Sequence, residues 1–204
     1  MNPATTFDEP PVSLAPRDAD ATDTASGKLT IAEFEAKYDG QDFELVRGKL
    51  IPMSKNNITH AKLLARTTTK LGNHLEGKPV TLLGGDAGFV TSEVENTSRG
   101  VDIIVISDAR LSGQAAGRPF LTVAPEVAIE ITSPSNTTDD MLDKVSEYFA
   151  AGVEAVWVIT PHTKQVLVWS SAKHCDVISA SANETLIGSG ILEGFSMPLT
   201  ELFA

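Results

Sequence analysis

The sequence has little with which to build a cross-linked, membrane-spanning or polycationic protein. Its single cysteine, Cys175, cannot form an intrachain disulfide, which excludes a disulfide-stapled scaffold. No apolar run approaches the roughly 18–20 residues that span a bilayer. The 16 basic residues are outnumbered by 27 acidic ones, giving a net charge of −11. This charge excludes a histone-like polycation and disfavours tight non-specific binding to nucleic acid, but it leaves room for a local basic groove.

The first 27 residues have almost no large apolar side chains, and they lack the basic and apolar regions of a secretory signal. They are rich in Pro, Ala, Thr, Ser and Asp, and five acidic residues stand against one arginine. Such a segment cannot bury enough apolar area to offset the entropy lost on ordering. We therefore expect a flexible acidic tail over 1–27, a single domain over 28–204, and a cytoplasmic protein that does not bind membranes.

Helix signals occur at three places. The sequence predicts a short helix over about 30–38, a long one over about 58–76, and a third over about 137–151. The first and third open on the spacing of a capping box, in which two side chains satisfy each other's backbone N–H groups. The capping pairs are Thr30 with Glu33 and Thr137 with Asp140.

Strand signals are more numerous than helix signals. They cover residues 43–46, 49–53, 79–83, 87–91, 101–107, 125–133, 154–160 and 165–170. The runs at 101–107 and 125–133 are almost continuously apolar, as is typical of strands buried on both faces. A β-α-β unit spans 125–160, and the apolar C-terminal segment is expected to dock on the core. The predicted fold class is α/β (α+β), with a central mixed β-sheet flanked by helices.

Two acidic residues stand out because apolar residues surround them. Asp102 lies in the run at 101–107, and Glu130 lies in the run at 125–133. A buried carboxylate costs several kcal/mol unless it is paired, hydrogen-bonded or bound to a metal. If the strands are neighbours, both carboxylates reach one point and can bind a hard divalent cation, whose chemistry suits phosphodiester hydrolysis. The alternative for Asp102 is that it caps a turn at the start of its strand.

Lys144 lies on the predicted helix that follows the Glu130 strand. Its helical angle places it beside the apolar stripe, so it can lean over the sheet edge. There an ammonium group could orient the attacking water or neutralise charge that develops on a phosphate. The alternative is an ordinary ion pair with Asp140, one helical turn earlier.

A row of basic residues recurs every four residues along the long predicted helix. Its members are Lys62, Arg66 and Lys70, and His74 continues the row. This is the best candidate in the chain for a track that contacts backbone phosphates. The alternative is a solvent-exposed helix face, which is the more common origin of such rows.

Six short motifs occur in order along residues 30–204. They are Phe43-Glu44-Leu45-Val46-Arg47-Gly48-Lys49-Leu50, His60, Val101-Asp102-Ile103, PEVAIEITSPS at 125–135, Lys144-x3-Tyr148-x3-Gly152-Val153-x3-Trp157, and Gly194-Phe195-x2-Pro198-x2-Glu201-Leu202-Phe203. Together they resemble the Uma-two family of restriction endonuclease-like proteins, which belongs to the PD-(D/E)XK nuclease superfamily.

The resemblance implies a restriction endonuclease-like fold with one or two Mg²⁺ ions, or Mn²⁺ in their place. Asp102 matches the motif aspartate, Glu130 its acidic partner, and Lys144 a lysine on the following helix. The chain departs from the pattern at Val101, where the family usually has proline, and at Thr132, where the motif has lysine. Because proline is no metal ligand, only the second departure matters, and it makes catalysis depend on Lys144.

The resemblance also assigns roles to two residues outside the motif core. Glu44 matches an early glutamate of the family and is a candidate for the same metal pocket; the alternative is that it faces solvent from a hairpin. His60 matches a histidine at the start of the long helix and is expected beside the site or along the nucleic-acid surface. The alternative for His60 is a surface or capping role.

The function predicted from these observations is Mg²⁺-dependent endonuclease activity on DNA. The alternatives are a catalytically inactive nuclease-fold module that binds nucleic acid or another protein, and an acidic domain whose tail engages a protein partner. The resemblance implies self-association, and two apolar segments at expected sheet edges, Val166–Trp169 and Gly194–Phe203, favour a homodimer.

Overall fold

A computed structural model describes residues 27–53, 57–133 and 137–204, so the predicted tail lies outside the described residues except for Gly27. The helices are α1 (Ile31–Tyr38), α2 (Ile58–Leu75), α3 (Asp108–Leu111), α4 (Thr138–Ala151) and α5 (Leu199–Leu202). The strands are β1 (Phe43–Val46), β2 (Lys49–Pro52), β3 (Val80–Ser92), β4 (Thr97–Ser107), β5 (Val127–Ile131), β6 (Ala155–Thr160), β7 (Gln165–Ser171), β8 (His174–Ser179), β9 (Thr185–Ile187) and β10 (Ser196–Pro198).

Local signals in the sequence fix the ends of several elements. Both predicted capping boxes are present, with each side chain accepting the other residue's backbone N–H, at the starts of α1 and α4. The β1–β2 hairpin turns at Arg47 and Gly48, which both have positive φ. Such a turn matches the twist of the two strands it connects.

The main sheet is mixed, as predicted. Its strand order is β2-β1-β4-β5-β6-β7-β8, and β3 also pairs with β4. Among the strand pairs of the described residues only β5 and β6 run parallel, because α4 crosses between them. β4 is the central strand: β3 follows one of its edges, while β1 pairs with the other edge at Ser98 and β5 pairs with that same edge from Ile103 onward.

The two faces of the sheet bury separate apolar clusters. Ile103 and Ile129 pack on the face that α2 and the C-terminal segment cover. Ile104 and Ala128 pack on the other face, against Tyr148 of α4. The predicted docking of the C-terminal segment on the core is confirmed by its buried residues, which are Phe195, Met197, Leu199 and Leu202.

Three local predictions differ from the structure. The expected strands at 79–83 and 87–91 form one strand, β3, with a bulge between Gly84 and Ala87. The short helix α3 directly after β4 was not predicted. The strand β8 was not predicted either, because none of its residues is buried and they show no clear alternation of apolar and polar side chains.

The two observations that favoured a homodimer do not hold in the structure. β7 is not a sheet edge, since β8 pairs with it from Gln165 to Ser171. The apolar residues of the C-terminal segment pack into the core of the same chain. Self-association therefore stays a prediction that follows from the family resemblance alone. Within the described ranges, no helix is both long enough and apolar enough to cross a bilayer.

Candidate active site

Asp102 and Glu130 lie on adjacent antiparallel strands. Ile103 pairs with Ile129, so the register puts Asp102 and Glu130 at the next position along the β4–β5 ladder. Both side chains are buried. The sequence analysis brought these two carboxylates together on the condition that their strands are neighbours, and the strand pairing meets that condition.

The Asp102 carboxylate is held from two directions. Its Oδ2 accepts a hydrogen bond from the backbone N–H of Ile131 at 2.7 Å, and its Oδ1 lies 3.0 Å from Nε2 of His60 on α2. Asp102 is in the middle of β4, so the alternative of a turn cap does not hold. The bulge in β3, with positive φ at Gly85 and Asp86, lies opposite Asp102. Bulges of this kind redirect side chains next to functional sites.

His60 is a buried side chain rather than a surface one. Burial opposes protonation, but the hydrogen bond to Asp102 and the charge of that carboxylate outweigh it and raise the pKa of His60. The other ring nitrogen, Nδ1, is buried and has no hydrogen-bond partner among the described residues. His60 therefore contacts the candidate site through Asp102, and its ring is not part of an exposed track.

Glu130 is the most strongly perturbed acid of the site. The Tyr148 hydroxyl donates to its Oε1, and Nζ of Lys144 lies 3.5 Å from the same oxygen. Burial, reinforced by the charge of Asp102, raises the pKa of Glu130 to about 7, although Lys144 and Tyr148 act in the opposite direction. Both contacts are to Oε1, so neither of them occupies Oε2.

Lys144 bridges the two glutamates of the site. Its Nζ lies 2.8 Å from Oε1 of Glu44 and 3.5 Å from the Gly100 carbonyl oxygen, in addition to its contact with Glu130. Asp140, the alternative partner, accepts instead from Thr137 in the capping box. Burial disfavours the ammonium form, but Glu130 and Glu44 outweigh burial and raise the pKa of Lys144. Lys144 is therefore protonated at every physiological pH.

Glu44 is buried and does not face solvent as the alternative required. Its Oε1 accepts the backbone N–H of Gly100 at 3.2 Å, and its Oε2 lies 2.9 Å from Nη1 of Arg99. Burial raises the pKa of Glu44, but Lys144 and Arg99 exceed that effect and lower it below the usual range. Glu44 is thus an anion that fixes the position of Lys144.

Arg99 and Glu147 complete this network, and sequence reasoning missed both. Nε and Nη2 of Arg99 donate to the two carboxylate oxygens of Glu147 on α4, at 2.7 and 2.8 Å. The signal in the sequence was weak, because β4 was predicted to begin at Val101 and Arg99 lay in an expected loop. The structure extends β4 back to Thr97 and places Arg99 inside the sheet.

The site occupies the place where the sheet divides. Along one edge of β4, β1 pairs at Ser98 and β5 only from Ile103 onward. In the interval, Glu44 accepts the N–H of Gly100, and Lys144 contacts its carbonyl oxygen. A cleft of about 310 Å³ opens there. Its charged lining residues are Glu44, His60, Asp86, Arg99, Asp102, Glu130, Asp140 and Lys144.

The basic row of α2 does not form a continuous exposed track. Nη1 of Arg66 donates to the carbonyl oxygens of Glu201, Leu202 and Ala204, which terminate α5. Lys70 forms an ion pair with Glu201, whereas the Lys62 residue is exposed. Contact with phosphate stays a prediction for Lys62. Arg66 and Lys70 could contact phosphate only if their side chains broke their contacts with the C-terminal segment.

The donor set of the cleft suits a magnesium-type ion better than a zinc-type ion. Within the described residues there is no group of three or more His, Cys, Asp and Glu side chains placed to hold a metal. The cleft instead contains two neighbouring carboxylates, Asp102 and Glu130, and the pKa of Glu130 is raised. Mg²⁺ commonly binds through one or two carboxylates and completes its shell with water and substrate phosphate oxygens. The residues therefore fit a divalent ion whose coordination shell is completed by water and by oxygen atoms of the substrate.

The pKa of Glu130 predicts how the metal-free protein responds to pH. A carboxyl group whose pKa is higher in the folded state than in the unfolded state stabilises the fold most below its unfolded pKa, and this contribution is lost as the pH rises through the folded pKa. His60, whose pKa is also raised, acts in the same direction. We expect the free energy of unfolding in EDTA to fall between pH 5 and pH 8, with roughly 3 kcal/mol as the most that Glu130 can contribute.

Urea denaturation at a series of pH values measures this dependence, and Glu130→Gln should make it shallower. Glu126→Gln is the matched control, because Glu126 is also buried but accepts from Ser107 and pairs with Arg110, outside the cleft. An equal slope in wild type and Glu130→Gln would contradict the prediction.

Comparisons with known proteins agree with the family resemblance and with the fold. A family model with the description "Uma2: Putative restriction endonuclease" matches residues 31–200. The fold is similar to the crystal structure of "a putative nuclease belonging to DUF820" from Anabaena variabilis, with a TM-score of 0.74 and 16% sequence identity. That similarity covers 86% of this chain and 97% of the other. No curated protein sequence matches the chain.

Proposed function

This chain belongs to the Uma2 family of restriction endonuclease-like proteins, and from that membership we propose that it is a Mg²⁺- or Mn²⁺-dependent endonuclease that hydrolyses phosphodiester bonds in DNA. One observation carries the proposal: Asp102 and Glu130 occupy paired positions on adjacent strands at the base of a cleft, and Lys144 reaches Glu130 from α4. Two carboxylates can hold a divalent ion that assists phosphodiester hydrolysis, and a lysine can stabilise the charge that develops on the phosphate.

The charge of the cleft supports a role for a cation. Its acidic lining residues outnumber Lys144 and Arg99, and Arg99 is already paired with two glutamates. A phosphodiester would be repelled from such a lining. Asp102 and Glu130 would hold the divalent ion, which when bound polarises a phosphoryl oxygen and lowers the pKa of a bound water.

Lys144 acts as a fixed positive charge and a hydrogen-bond donor. Its contacts with Glu44 and Glu130 favour the ammonium form, which has no lone pair to accept a proton, so the proposal gives it no role as general base. It can donate a hydrogen bond to the attacking water or to a phosphate oxygen whose charge grows in the transition state. Glu44 holds the ammonium group in place at 2.8 Å, and Arg99 in turn holds Glu44.

Thr132 stands where the motif has a lysine, and its contacts support the role given to Lys144. The Thr132 N–H and hydroxyl both donate to the carbonyl oxygen of Ile159 on β6, at 2.9 and 3.4 Å. Thr132 does not line the cleft. An ammonium group therefore enters the cleft from α4 rather than from the strand.

Cleavage of supercoiled plasmid and of labelled duplex and single-stranded oligonucleotides tests the proposal. We expect nicked and linear products with Mg²⁺ or Mn²⁺ and none with EDTA, since the carboxylates alone cannot stabilise the charge on phosphate. A parallel RNA substrate tests the preference for DNA. Binding without cleavage under every divalent ion would instead support the catalytically inactive nuclease-fold module.

A further inference from the structure

A second cleft lies directly beside the candidate active site. It has a volume of about 300 Å³, within the range of small-molecule sites. Met53, Asp86, Arg99 and Gly100 line both clefts, so the two are adjacent and share part of their walls. A ligand seated on Asp102 and Glu130 can extend into the second cleft when the Met53 side chain moves aside.

Aromatic rings form one wall of the second cleft. Phe34 and Tyr38 of α1 are stacked with their ring centroids 5.8 Å apart, Phe43 of β1 lies 5.6 Å from Tyr38, and Phe120 lies 5.5 Å from Phe34. The Phe120 ring rests on Gly88 of β3, where an added Cβ would lie 2.4 Å from a ring carbon. Gly88 thus lets the ring approach the sheet closely.

The polar groups of this cleft accept hydrogen bonds and repel anions. Asp39 and Asp42 are exposed carboxylates in the connection between α1 and β1. The cationic lining residue Arg99 is engaged by Glu44 and Glu147. A phosphate group is therefore disfavoured, whereas a neutral aromatic group that carries N–H donors is complementary to the lining.

We propose that the second cleft binds the nucleobase of the nucleotide next to the scissile phosphate, and that it favours bases with an exocyclic amino group over thymine. This inference rests on the proposed function only in that nucleic acid occupies the first cleft. Aromatic side chains supply stacking area to the base, and carboxylates accept from its amino group.

Met53 lies at the junction of the clefts. A Cβ on Gly100 would be 2.8 Å from the terminal methyl of Met53, so this side chain packs on Gly100 between the two openings. Methionine adapts its shape easily, because its side chain is unbranched and flexible. A base can therefore displace it at little cost while the phosphate stays in the first cleft.

Fluorescence anisotropy on the full chain tests the proposal, with phosphorothioate single-stranded oligonucleotides that differ at one central nucleotide: adenine, cytosine, thymine or an abasic residue. Measurements are made in Mg²⁺. For the wild type we expect the abasic oligonucleotide to bind about tenfold more weakly than the adenine one, as loss of one stacked base predicts. Phe120→Leu should remove most of that difference. Asp42→Asn should reduce the preference for adenine and cytosine over thymine.

Phe203→Leu is the matched control, since Phe203 is a half-buried phenylalanine that lines neither cleft. Its affinities should equal those of the wild type. The proposal would be overturned if the wild type bound the abasic and adenine oligonucleotides equally, or if it bound neither. Both results are measured on the wild type, so they do not depend on whether a variant folds. Cleavage measured separately tells the two failures apart: base-dependent binding without cleavage refutes the proposed hydrolysis alone, whereas cleavage with no effect of the abasic residue refutes the base site alone.

Discussion

Replacing Asp102 by Asn or Glu130 by Gln is expected to abolish both DNA cleavage and the stabilisation of the fold by Mg²⁺. Each substitution removes one of the two neighbouring carboxylates while keeping the shape of the side chain. A ligand that binds only the folded state stabilises it by about 2.7 kcal/mol when its concentration is a hundred times Kd. The wild type should show an increase of that order in the free energy of unfolding between EDTA and Mg²⁺, and the variants should not.

The two variants should differ from each other without metal. Glu130→Gln removes a carboxylate that burial makes unfavourable, so at pH 8 its metal-free stability should match or exceed that of the wild type. Asp102→Asn leaves His60 and the Ile131 N–H without a charged acceptor, so its metal-free stability should fall by about 1–3 kcal/mol.

Glu126→Gln again provides the matched control. It should lower the stability of the fold through the lost contacts with Ser107 and Arg110 and leave both the Mg²⁺ response and cleavage unchanged. If Mg²⁺ stabilised wild type, Asp102→Asn and Glu130→Gln equally, the proposed metal site would be wrong.

The fold and the central pair of acids were predictable because short-range patterns determine them. Capping boxes fix the starts of α1 and α4 within the helices' own first turns. An isolated Asp or Glu in an apolar strand indicates a buried carboxylate whatever the strand order. That the two strands are neighbours was a condition of the prediction, and the β4–β5 pairing meets it.

Other contacts in and near the site, which depend on long-range packing, were not predictable from such patterns. Arg99 and Glu147 are 48 positions apart, and their contact depends on how α4 lies across β4. Arg66 reaches the C-terminal carbonyl oxygens, although its sequence context marks it only as one member of a basic row. The β3 bulge opposite Asp102 depends on a register shift that Gly84 and Gly85 allow but do not require.

The network around Lys144 links three strands to one helix. Glu147 and Tyr148 lie one turn after Lys144 on α4, and the three residues contact Arg99 of β4, Glu130 of β5 and Glu44 of β1, respectively. These contacts span the division between β1 and β5, where strand pairing is interrupted along β4. The network therefore connects β1 and β5 at the interval of β4 where neither of them pairs with it, and it sets the position of the ammonium group.

The Lys144→Ala variant is expected to keep Mg²⁺ binding but to lose most of its cleavage activity. The variant keeps Asp102 and Glu130, so Mg²⁺ should still stabilise it. Without metal, Glu44 and Glu130 lose a shared cation in a buried site, and the free energy of unfolding should fall by about 3 kcal/mol. Because a bound divalent ion would offset that unpaired charge, the Mg²⁺ response should be larger in Lys144→Ala than in the wild type.

Cleavage by Lys144→Ala should nevertheless fall by at least about a hundredfold, since a hydrogen-bond donor to the developing charge is gone. Single-turnover cleavage at saturating Mg²⁺, at a temperature where the variant is folded, measures this loss. Lys173→Ala, at an exposed lysine in the turn between β7 and β8, should cleave as the wild type does. A purely structural role of Lys144 predicts the loss of stability but no loss of turnover. Cleavage by Lys144→Ala at the wild-type rate would therefore show that the ammonium group only stabilises the sheet and takes no part in catalysis.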